Sequence, residues 1–275
     1  MMQTMTLQEI KDCSVGVLDF IGKVCCEYNL TYYLCGGTLL GAIRHNGFIP
    51  WDDDIDIMMP RGDYDRLFKV WPRNSRYAIL NYKTVDRFPY AYGKAIDLDT
   101  VKVEPIKVNT AQIGVDVDIF PIDGLPSDDN ETIAYYKQIE RMQARLSFYL
   151  STFGKGSNCF RTIARNICLF VLRFSDYLGI TSLYKVTKKF DKLAQRYLAK
   201  DTGYCGITAI SHYGIKEKNP IDYYKDVVHV TFEGKEYPAP IGYPEYLSKL
   251  YGKDYLQLPP QEMRQTHHHY VAYWK

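Results

Sequence analysis

The first long pattern in the chain is an apolar residue at every third or fourth position between residues 7 and 28. This period of about 3.6 residues is typical of an α-helix with one buried face. Thr6 and Glu9 stand at its start with the spacing of a capping box, in which each side chain accepts a hydrogen bond from a backbone N–H. The pattern therefore predicts an amphipathic helix over residues 7–28.

A change of period follows, from helical spacing to strict alternation. Residues typical of a strand at 31–35 run into a Gly-Gly pair at 36–37, and a second helical pattern continues to Arg44. From Asp54 to Met59, acidic and apolar residues alternate, as in a strand with one buried face. The pattern predicts a strand, a glycine turn, a helix and a second strand whose carboxylates share one face.

The remaining patterns complete a mixed α/β chain. Alternation recurs at 114–121, where another acidic strand precedes the turn signal Asp123-Gly124. Further elements are predicted as a helix at 63–71, strands at 77–80, 91–98 and 101–108, two or three helices within 131–200, a hairpin at 226–240 and a helix at 244–251. The predicted fold is α/β, with a mixed sheet flanked by helices. It comprises a core over 1–126, a helical insertion over 127–200 and a C-terminal part over 201–275.

Composition and charge change this picture only where they are uneven. The 275 residues are 46% hydrophobic and 24% charged, which excludes disordered and fibrous proteins. Net charge is +2, but residues 131–200 hold 13 Lys and Arg against 4 Asp and Glu, so this segment carries +9 and the remainder −7. The sequence shows no secretory leader, no membrane-length apolar run and no CxxC pair among its seven cysteines. We therefore expect a reduced, cytoplasmic protein.

Paired carboxylates on the predicted strands are the strongest chemical signal. Asp54 and Asp56 stand at i and i+2 and point to the same side of their strand, where like charges repel unless a cation offsets them. Magnesium is bound by a few carboxylate oxygens together with substrate phosphates, which suits phosphoryl transfer over two ions. On the later acidic strand Asp116 and Asp118 share a face, and either of them is a candidate third carboxylate.

The Gly36-Gly37-Thr38 turn is a candidate phosphate site. Glycine lets a backbone approach an anion closely, and a helix N-terminus presents free N–H groups and the positive end of a dipole. Arg44, at the end of the same helix, and Lys94, in a later strand, are further candidates for phosphate contacts. Each candidate also has a purely structural interpretation. The glycines can form an ordinary turn, Arg44 can be a charge at the end of a helix, and Lys94 can lie on a solvated strand face.

These residues belong to a longer motif. The stretch from Gly37 to Asp56, GTLLGAIRHNGFIPWDDDID, resembles the signature of the LicD family. That family comprises phosphocholine transferases and related enzymes of bacterial surface polysaccharides, and is distantly related to fukutin and fukutin-related protein. The resemblance continues at 117–123, weakly at Lys94, and at 250–252 and 259–260. It covers nearly the whole chain and is least evident in the basic helical segment.

The resemblance implies a nucleotidyltransferase-like fold and assigns roles to residues. Asp54 and Asp56 match the metal-binding pair, Asp118 matches the third carboxylate because it directly precedes Ile-Phe-Pro, and 36–38 match the phosphate-side turn. The implied activity is transfer of phosphocholine or a similar phospho-alcohol from a CDP-activated donor such as CDP-choline, with Mg²⁺, as two ions, or Mn²⁺. The implied acceptor is a hydroxyl of a glycan or lipid-linked glycan, as in teichoic acid or lipopolysaccharide synthesis.

Two other classes of function stay open. An acid-x-acid pair also suits a metal-dependent glycosyltransferase that binds a sugar nucleotide, although the preceding glycine helix disfavours it. The other alternative is a non-catalytic protein that binds calcium or a membrane, but Ile57 stands where a calcium loop needs glycine. Three consecutive histidines at 267–269 are either a weak metal signal or an exposed tail.

The basic helical segment is the last feature with a functional interpretation. Arg161, Arg165 and Arg173 stand among apolar residues at helical spacing. Helices of this kind lie on anionic membranes, and the surface expected here is the inner face of the membrane. A core-facing helix with a charged outer face has the same pattern. No nucleic-acid motif accompanies the charge, so we expect no nucleic-acid partner.

Overall fold

The computed structural model describes residues 2–103, 110–151, 153–154, 159–264 and 270–275. Its helices are α1 (Leu7–Tyr28), α2 (Gly36–His45), α3 (Arg61–Val70), α4 (Asp129–Leu150), α5 (Cys159–Tyr177), α6 (Leu183–Ala194), α7 (Ala199–Thr202) and α8 (Tyr243–Tyr251). Its strands are β1 (Gln3–Thr4), β2 (Tyr33–Leu34), β3 (Asp56–Pro60), β4 (Tyr77–Leu80), β5 (Gly93–Asp97), β6 (Thr100–Val103), β7 (Asp116–Gly124), β8 (Tyr204–Ile207), β9 (Asn219–Pro220), β10 (Val227–Phe232), β11 (Lys235–Pro240) and β12 (Val271–Trp274). Short 3₁₀ helices cover Gly214–Glu217, Ile221–Tyr224 and Gln261–Met263.

A curled mixed sheet with the order β2-β3-β7-β5-β4 lies at the centre of the structure, and β8 and β9 extend it beside the far end of β7. β3 runs parallel to β7, whereas β5 and β8 pair with β7 in the antiparallel sense. Helices α1 and α3 pack against this sheet. Ile57, Met58, Val117 and Ile119 are fully buried, since both faces of the central strands are covered. The predicted α/β architecture, a mixed sheet flanked by helices, is confirmed.

Most predicted elements form close to their predicted positions. The capping box of α1 is present, with Glu9 N–H donating to Thr6 Oγ1 at 3.2 Å and Thr6 N–H donating to Glu9 Oε2 at 2.7 Å. β4, the β10–β11 hairpin and α8 lie within a residue or two of the predicted ranges. The strand predicted at 31–35 shortens to the two residues of β2. Of the strand predicted at 101–108, residues 104–109 lie outside the described residues.

The predicted turn at Asp123-Gly124 is wrong, because both residues lie inside β7, which pairs there with β8. The Asp123 carboxylate accepts hydrogen bonds from Arg61 Nε and Nη2 at 2.7 and 2.6 Å. A Cβ atom at Gly124 would lie 2.5 Å from the Tyr197 carbonyl oxygen. The aspartate is therefore a buried ion-pair partner, and the glycine allows a close backbone approach instead of forming a turn.

The basic segment folds as helices α4 to α7, inserted between β7 and β8. Side chains of α4 and α6, among them Tyr135, Ile139 and Phe190, form a core of their own. Asp191 on α6 ties this core to the sheet, since it accepts hydrogen bonds from Arg61 Nη1 at 3.1 Å and from the Tyr82 hydroxyl at 2.7 Å. None of the described helices has both the length and the hydropathy that a membrane span requires.

The first and last described strands meet in a second sheet, with the order β1-β12-β6. Ala272 on β12 is buried in a small core with Met5, Ile10 and Val115. The sequence analysis predicted β6 but neither β1 nor β12. Two-residue and four-residue strands carry too little alternation to stand out, and their pairing depends on residues at opposite ends of the chain.

Candidate active site

The two predicted acidic strands lie side by side. β3 and β7 pair in parallel with Asp56 opposite Asp118, and the Asp118 N–H donates to the Ile55 carbonyl at 2.9 Å. Asp54 precedes β3 and is exposed. The structure therefore brings Asp56 and Asp118 together at one edge of the sheet, called the acidic edge below, with Asp54 next to them in the chain.

The glycine turn packs directly against this edge. α2 begins at Gly36, whose φ of 52° lies in the left-handed region that glycine adopts without strain. A Cβ atom there would lie 3.6 Å from Asp56 Oδ2. Thr38 Oγ1 accepts a hydrogen bond from the Asp56 N–H at 2.8 Å, so the Thr38 side chain fixes the start of β3. The N-terminus of α2 thus lies beside the Asp56 carboxylate.

Repulsion among carboxylates dominates the electrostatics of the acidic edge. Burial and the nearby charges of Asp54 and Asp118 raise the pKa of Asp56 well above its usual range. Burial and the adjacent Asp54 carboxyl also raise the pKa of Asp52 to about 8. Closely spaced carboxylates ionise together only when positive charge offsets their repulsion. Asp52 belongs to this group, although the sequence analysis did not single it out.

A buried lysine supplies part of that positive charge. The Lys94 ammonium contacts both Asp116 and Asp118, and Lys102 Nζ lies 2.7 Å from Asp116 Oδ1. Against the effect of burial, the two lysines hold the pKa of Asp116 below its usual range, whereas burial raises the pKa of Asp118 to about 6. The Asp118 side chain is 20% exposed and that of Asp116 is 3% exposed. Asp118 is therefore the accessible carboxylate of the two.

The donor set of the acidic edge fits Mg²⁺ in oxygen type and in charge. Asp54, Asp56 and Asp118 offer hard carboxylate oxygens, and a divalent cation would relieve their repulsion. Within the described residues, no three His, Cys, Asp or Glu side chains already converge as a metal cluster. In this arrangement the Lys94 ammonium compensates the Asp118 carboxylate instead.

Tyrosine side chains from the C-terminal part of the chain pack beside the glycine turn. The Gly36 N–H donates to the Tyr246 hydroxyl at 3.3 Å. The Tyr213 hydroxyl donates to the Tyr251 hydroxyl at 2.9 Å, and a Cβ atom on Gly36 would lie 4.0 Å from that Tyr251 oxygen. Sequence reasoning assigned no role to these tyrosines. The one sequence signal that could have identified them is that Tyr251 lies in the stretch 250–252, which resembles the LicD family.

Arg44 lies at the other end of α2 from the glycine turn, about 12 Å along the helix axis. Its Nη1 donates to the carbonyls of Tyr255 and Gln257, both at 3.2 Å, and its Nε donates to His45 Nε2 at 2.9 Å. These contacts hold a C-terminal loop against α2, so a contact of Arg44 with phosphate stays a prediction. The histidines at 267–269 lie outside the described residues.

Cavities lie near both ends of the central strands. One of about 320 Å³ lies between the start of α1 and the segment that precedes β3, and its lining includes Ile10, Trp51, Asp52 and Asp53. Another of about 620 Å³ lies at the opposite end, beside Pro60 and Gly124. The smaller one reaches the acidic edge only through Asp52, since Asp54, Asp56 and Asp118 are not among the residues that line it.

Comparison with known proteins gives independent information about this site. Residues 29–152 match the family described as LicD/FKTN/FKRP, nucleotidyltransferase domain. Over 275 residues, 99% of each chain, the sequence is 31% identical to the lipopolysaccharide cholinephosphotransferase LicD of Haemophilus influenzae. The chain belongs to the LicD family. The resemblance stated from residues 37–56 and 117–123 is thereby confirmed.

A human protein shares part of this LicD-family sequence. The chain is 30% identical over 115 residues to the ribitol 5-phosphate transferase FKRP of Homo sapiens, which is 42% of this chain and 20% of that protein. The family match at 29–152 contains the glycine turn, β3 and β7, and it ends just after α4. The acidic edge therefore lies within the LicD-family match, whereas α5 and α6 lie beyond it.

Proposed function

We propose that this LicD-family chain is a phosphotransferase of nucleotidyltransferase type. It transfers phosphocholine, or a closely related phospho-alcohol, from a CDP-activated donor to a hydroxyl of lipopolysaccharide or a similar surface glycan, or of its lipid-linked precursor. The observation that carries the proposal is the pairing of Asp56 with Asp118 beside the Gly36 turn. The choice of transferred group is supported by the cholinephosphotransferase relative, which matches over 99% of each chain.

Asp54, Asp56 and Asp118 are the residues that would hold Mg²⁺, as two ions, or Mn²⁺ in its place. When bound, the metal would offset the charge of the donor diphosphate and of the phosphate that leaves. Lys94 contacts Asp118 from within the sheet and keeps this carboxylate in position. Thr38 does the same for Asp56 through the backbone N–H of that residue.

The proposed reaction moves one phosphoryl group. The acceptor hydroxyl oxygen bonds to the phosphorus that carries the alcohol, the bond from that phosphorus to the bridging oxygen breaks, and CMP leaves with the electron pair. Asp118 accepts the hydroxyl proton, since its carboxylate is partly exposed. The N–H groups at the start of α2 bind donor phosphate, and Lys94 adds positive charge behind the site.

Release of CMP tests this proposal. The purified protein is incubated with Mg²⁺, candidate glycans and, in separate reactions, CDP-choline, CDP-ethanolamine, CDP-glycerol or CDP-ribitol. We expect metal-dependent CMP release that is fastest with CDP-choline. Release of a nucleoside diphosphate from a sugar nucleotide would instead identify a glycosyltransferase. A protein that consumes no donor under any condition would be a binding protein.

Asp54→Asn and Asp56→Asn test the carboxylate pair. Removing one charge from a repelling group should leave the melting temperature unchanged or raised, whereas turnover should fall about 100-fold or more because a metal ligand is lost. Thermal melts and CMP release measure the two effects, and Asp254→Asn, at an exposed position, is the matched control. Near-normal turnover in either folded variant would contradict the assignment.

A further inference from the structure

Helix α5 presents an apolar stripe to solvent. Six large side chains follow one another at alternating steps of three and four residues, and each is between 53% and 85% exposed: Phe160, Ile163, Ile167, Phe170, Phe174 and Tyr177. This spacing places them on one side of the helix, called the α5 stripe below. Soluble proteins rarely expose so continuous an apolar surface unless a partner covers it.

The contacts of α5 with the rest of the protein lie on its other side. Leu169 is buried, and Leu172 packs against the core formed by α4 and α6. Arg173 Nη2 donates to the Ser151 carbonyl at 3.4 Å, and its guanidinium lies over the Tyr149 ring. The sequence alternative of a core-facing helix with a charged outer face is therefore right about the inner side of α5 and wrong about its outer side, where the large exposed side chains are mostly apolar.

The net charge of the segment that contains the α5 stripe indicates what covers it. Residues 159–200 hold nine Lys and Arg against two Asp. Both aspartates are engaged within the protein, Asp176 with Arg87 at 3.7 Å and Asp191 with Arg61 at 3.1 Å. On the next helix, Lys188 and Lys189 are exposed. A helical segment that combines an exposed stripe of aromatic and aliphatic residues with a net positive charge fits the surface of an anionic bilayer.

A second copy of the helix is a poorer fit to the stripe. The stripe has the spacing of a coiled-coil seam but spans only residues 160–177, which is fewer than the three to four heptads that such a seam needs. The local excess of positive charge would also repel an identical copy. We propose that the α5 stripe docks the protein onto the surface of an anionic lipid bilayer.

The docking surface is connected to the acidic edge through a short loop. Arg87 binds Asp176 on α5, and the loop continues through Phe88 to Tyr90, whose rings lie 5.4 Å apart. The Tyr90 ring in turn lies 4.6 Å from the Lys94 ammonium. The helix that carries the stripe is therefore linked, through Asp176 on its inner side, to the segment that leads into the site. This placement suits an acceptor held in the membrane, a consequence that rests on the proposed function, whereas the docking itself does not.

Vesicle flotation of the full chain tests the docking. Vesicles of phosphatidylcholine alone are compared with vesicles that also contain phosphatidylglycerol, over a series of salt concentrations. We expect binding to the anionic vesicles that weakens as salt rises. Phe170→Ser with Phe174→Ser should weaken it about tenfold or more. The matched control is Leu256→Ser with Leu258→Ser, two exposed apolar residues elsewhere on the surface, which should bind as the wild type.

The double variant Lys188→Gln with Lys189→Gln tests the electrostatic contribution to docking. It should reduce binding to the anionic vesicles and leave binding to vesicles of phosphatidylcholine unchanged. Binding that ignores lipid charge, or that survives loss of both phenylalanines in protein with an unchanged thermal melt, overturns the proposal. So does a dimer in sedimentation equilibrium that the phenylalanine variant dissociates while vesicles bind neither protein. Release of CMP with a water-soluble acceptor should be equal in all variants. Flotation measures vesicle binding without turnover, so it tests the docking even if the proposed reaction fails.

Discussion

Among single residues, Lys94 controls the charge balance of the acidic edge. Its side chain is 4% exposed, and its ammonium contacts both Asp116 and Asp118. Lys94→Gln would leave a buried carboxylate without a counter-ion, so we expect the free energy of unfolding to fall by about 3–5 kcal/mol. Urea denaturation measures this loss. Lys235→Gln, in a half-exposed ion pair with Asp19, is the control and should cost about 1 kcal/mol or less.

A second substitution distinguishes lost charge balance from lost packing. Lys94→Gln combined with Asp118→Asn removes both members of one ion pair, so it should recover much of the stability. It should not recover CMP release, because the third carboxylate is gone. A Lys94→Gln variant as stable as the wild type would show that the buried ion pairs contribute nothing to the fold.

Glu217, at the end of the 3₁₀ helix Gly214–Glu217, predicts a pH dependence of stability. Burial raises its pKa to about 8, and among the described residues its Oε2 has no hydrogen-bond partner. Between pH of about 4.5, where the unfolded side chain ionises, and pH 8, the folded state binds more protons than the unfolded state. Stability should therefore fall as pH rises through this window, by about 1.4 kcal/mol per pH unit at most.

Glu217→Gln removes this titration and so tests it directly. The free energy of unfolding, measured in urea at intervals from pH 5 to pH 8, should decline less steeply in the variant than in the wild type. Glu245→Gln, at an exposed position on α8, should decline in parallel with the wild type. Parallel curves for Glu217→Gln as well would mean that the buried carboxyl is already ionised in the folded protein.

At the level of elements, local patterns were enough to predict the pieces of the site. Alternation in the sequence shows that Asp116 and Asp118 share a face, and Gly36 has the positive φ that a Gly-Gly pair suggests. The pairing of β3 with β7 was beyond such patterns, because it depends on residues far apart in the chain. The same holds for Tyr246, whose contact with Gly36 depends on how the C-terminal helix packs.

The terminal strand β12 gives a prediction at this scale, because its two faces differ sharply. Ala272 is 1% exposed, whereas the neighbouring Val271 is 44% exposed. Ala272→Asp would bury a carboxylate among Met5, Ile10 and Val115, so it should destabilise the protein by about 3 kcal/mol or more. Val271→Asp is the matched control and should change the melting temperature little. Equal effects in thermal melts would place β12 outside the folded core.

For the whole molecule, the main structural question is how the basic helices join the sheet. The sequence predicted a helical insertion from charge and spacing. It did not predict the tie between the two parts, in which Arg61 on α3 binds both Asp123 on β7 and Asp191 on α6. These three residues are distant in sequence, and each of them alone is indistinguishable from a solvated charge. They become a buried cluster only because the fold brings Asp191 on α6 and Asp123 on β7 to the same arginine on α3.

Asp191→Asn tests whether this tie holds the helical core onto the sheet. The variant loses its ion pair with Arg61 and weakens the hydrogen bond from Tyr82, while Arg61 keeps Asp123, so we expect a loss of about 1–3 kcal/mol. Amide hydrogen exchange should become faster in α4 and α6 and stay unchanged in β3 and β7, since local opening begins where the tie is lost. Asp201→Asn, at an exposed position on α7, should leave both regions unchanged. Equal acceleration in the helices and the sheet would show instead that the two cores open as one cooperative unit.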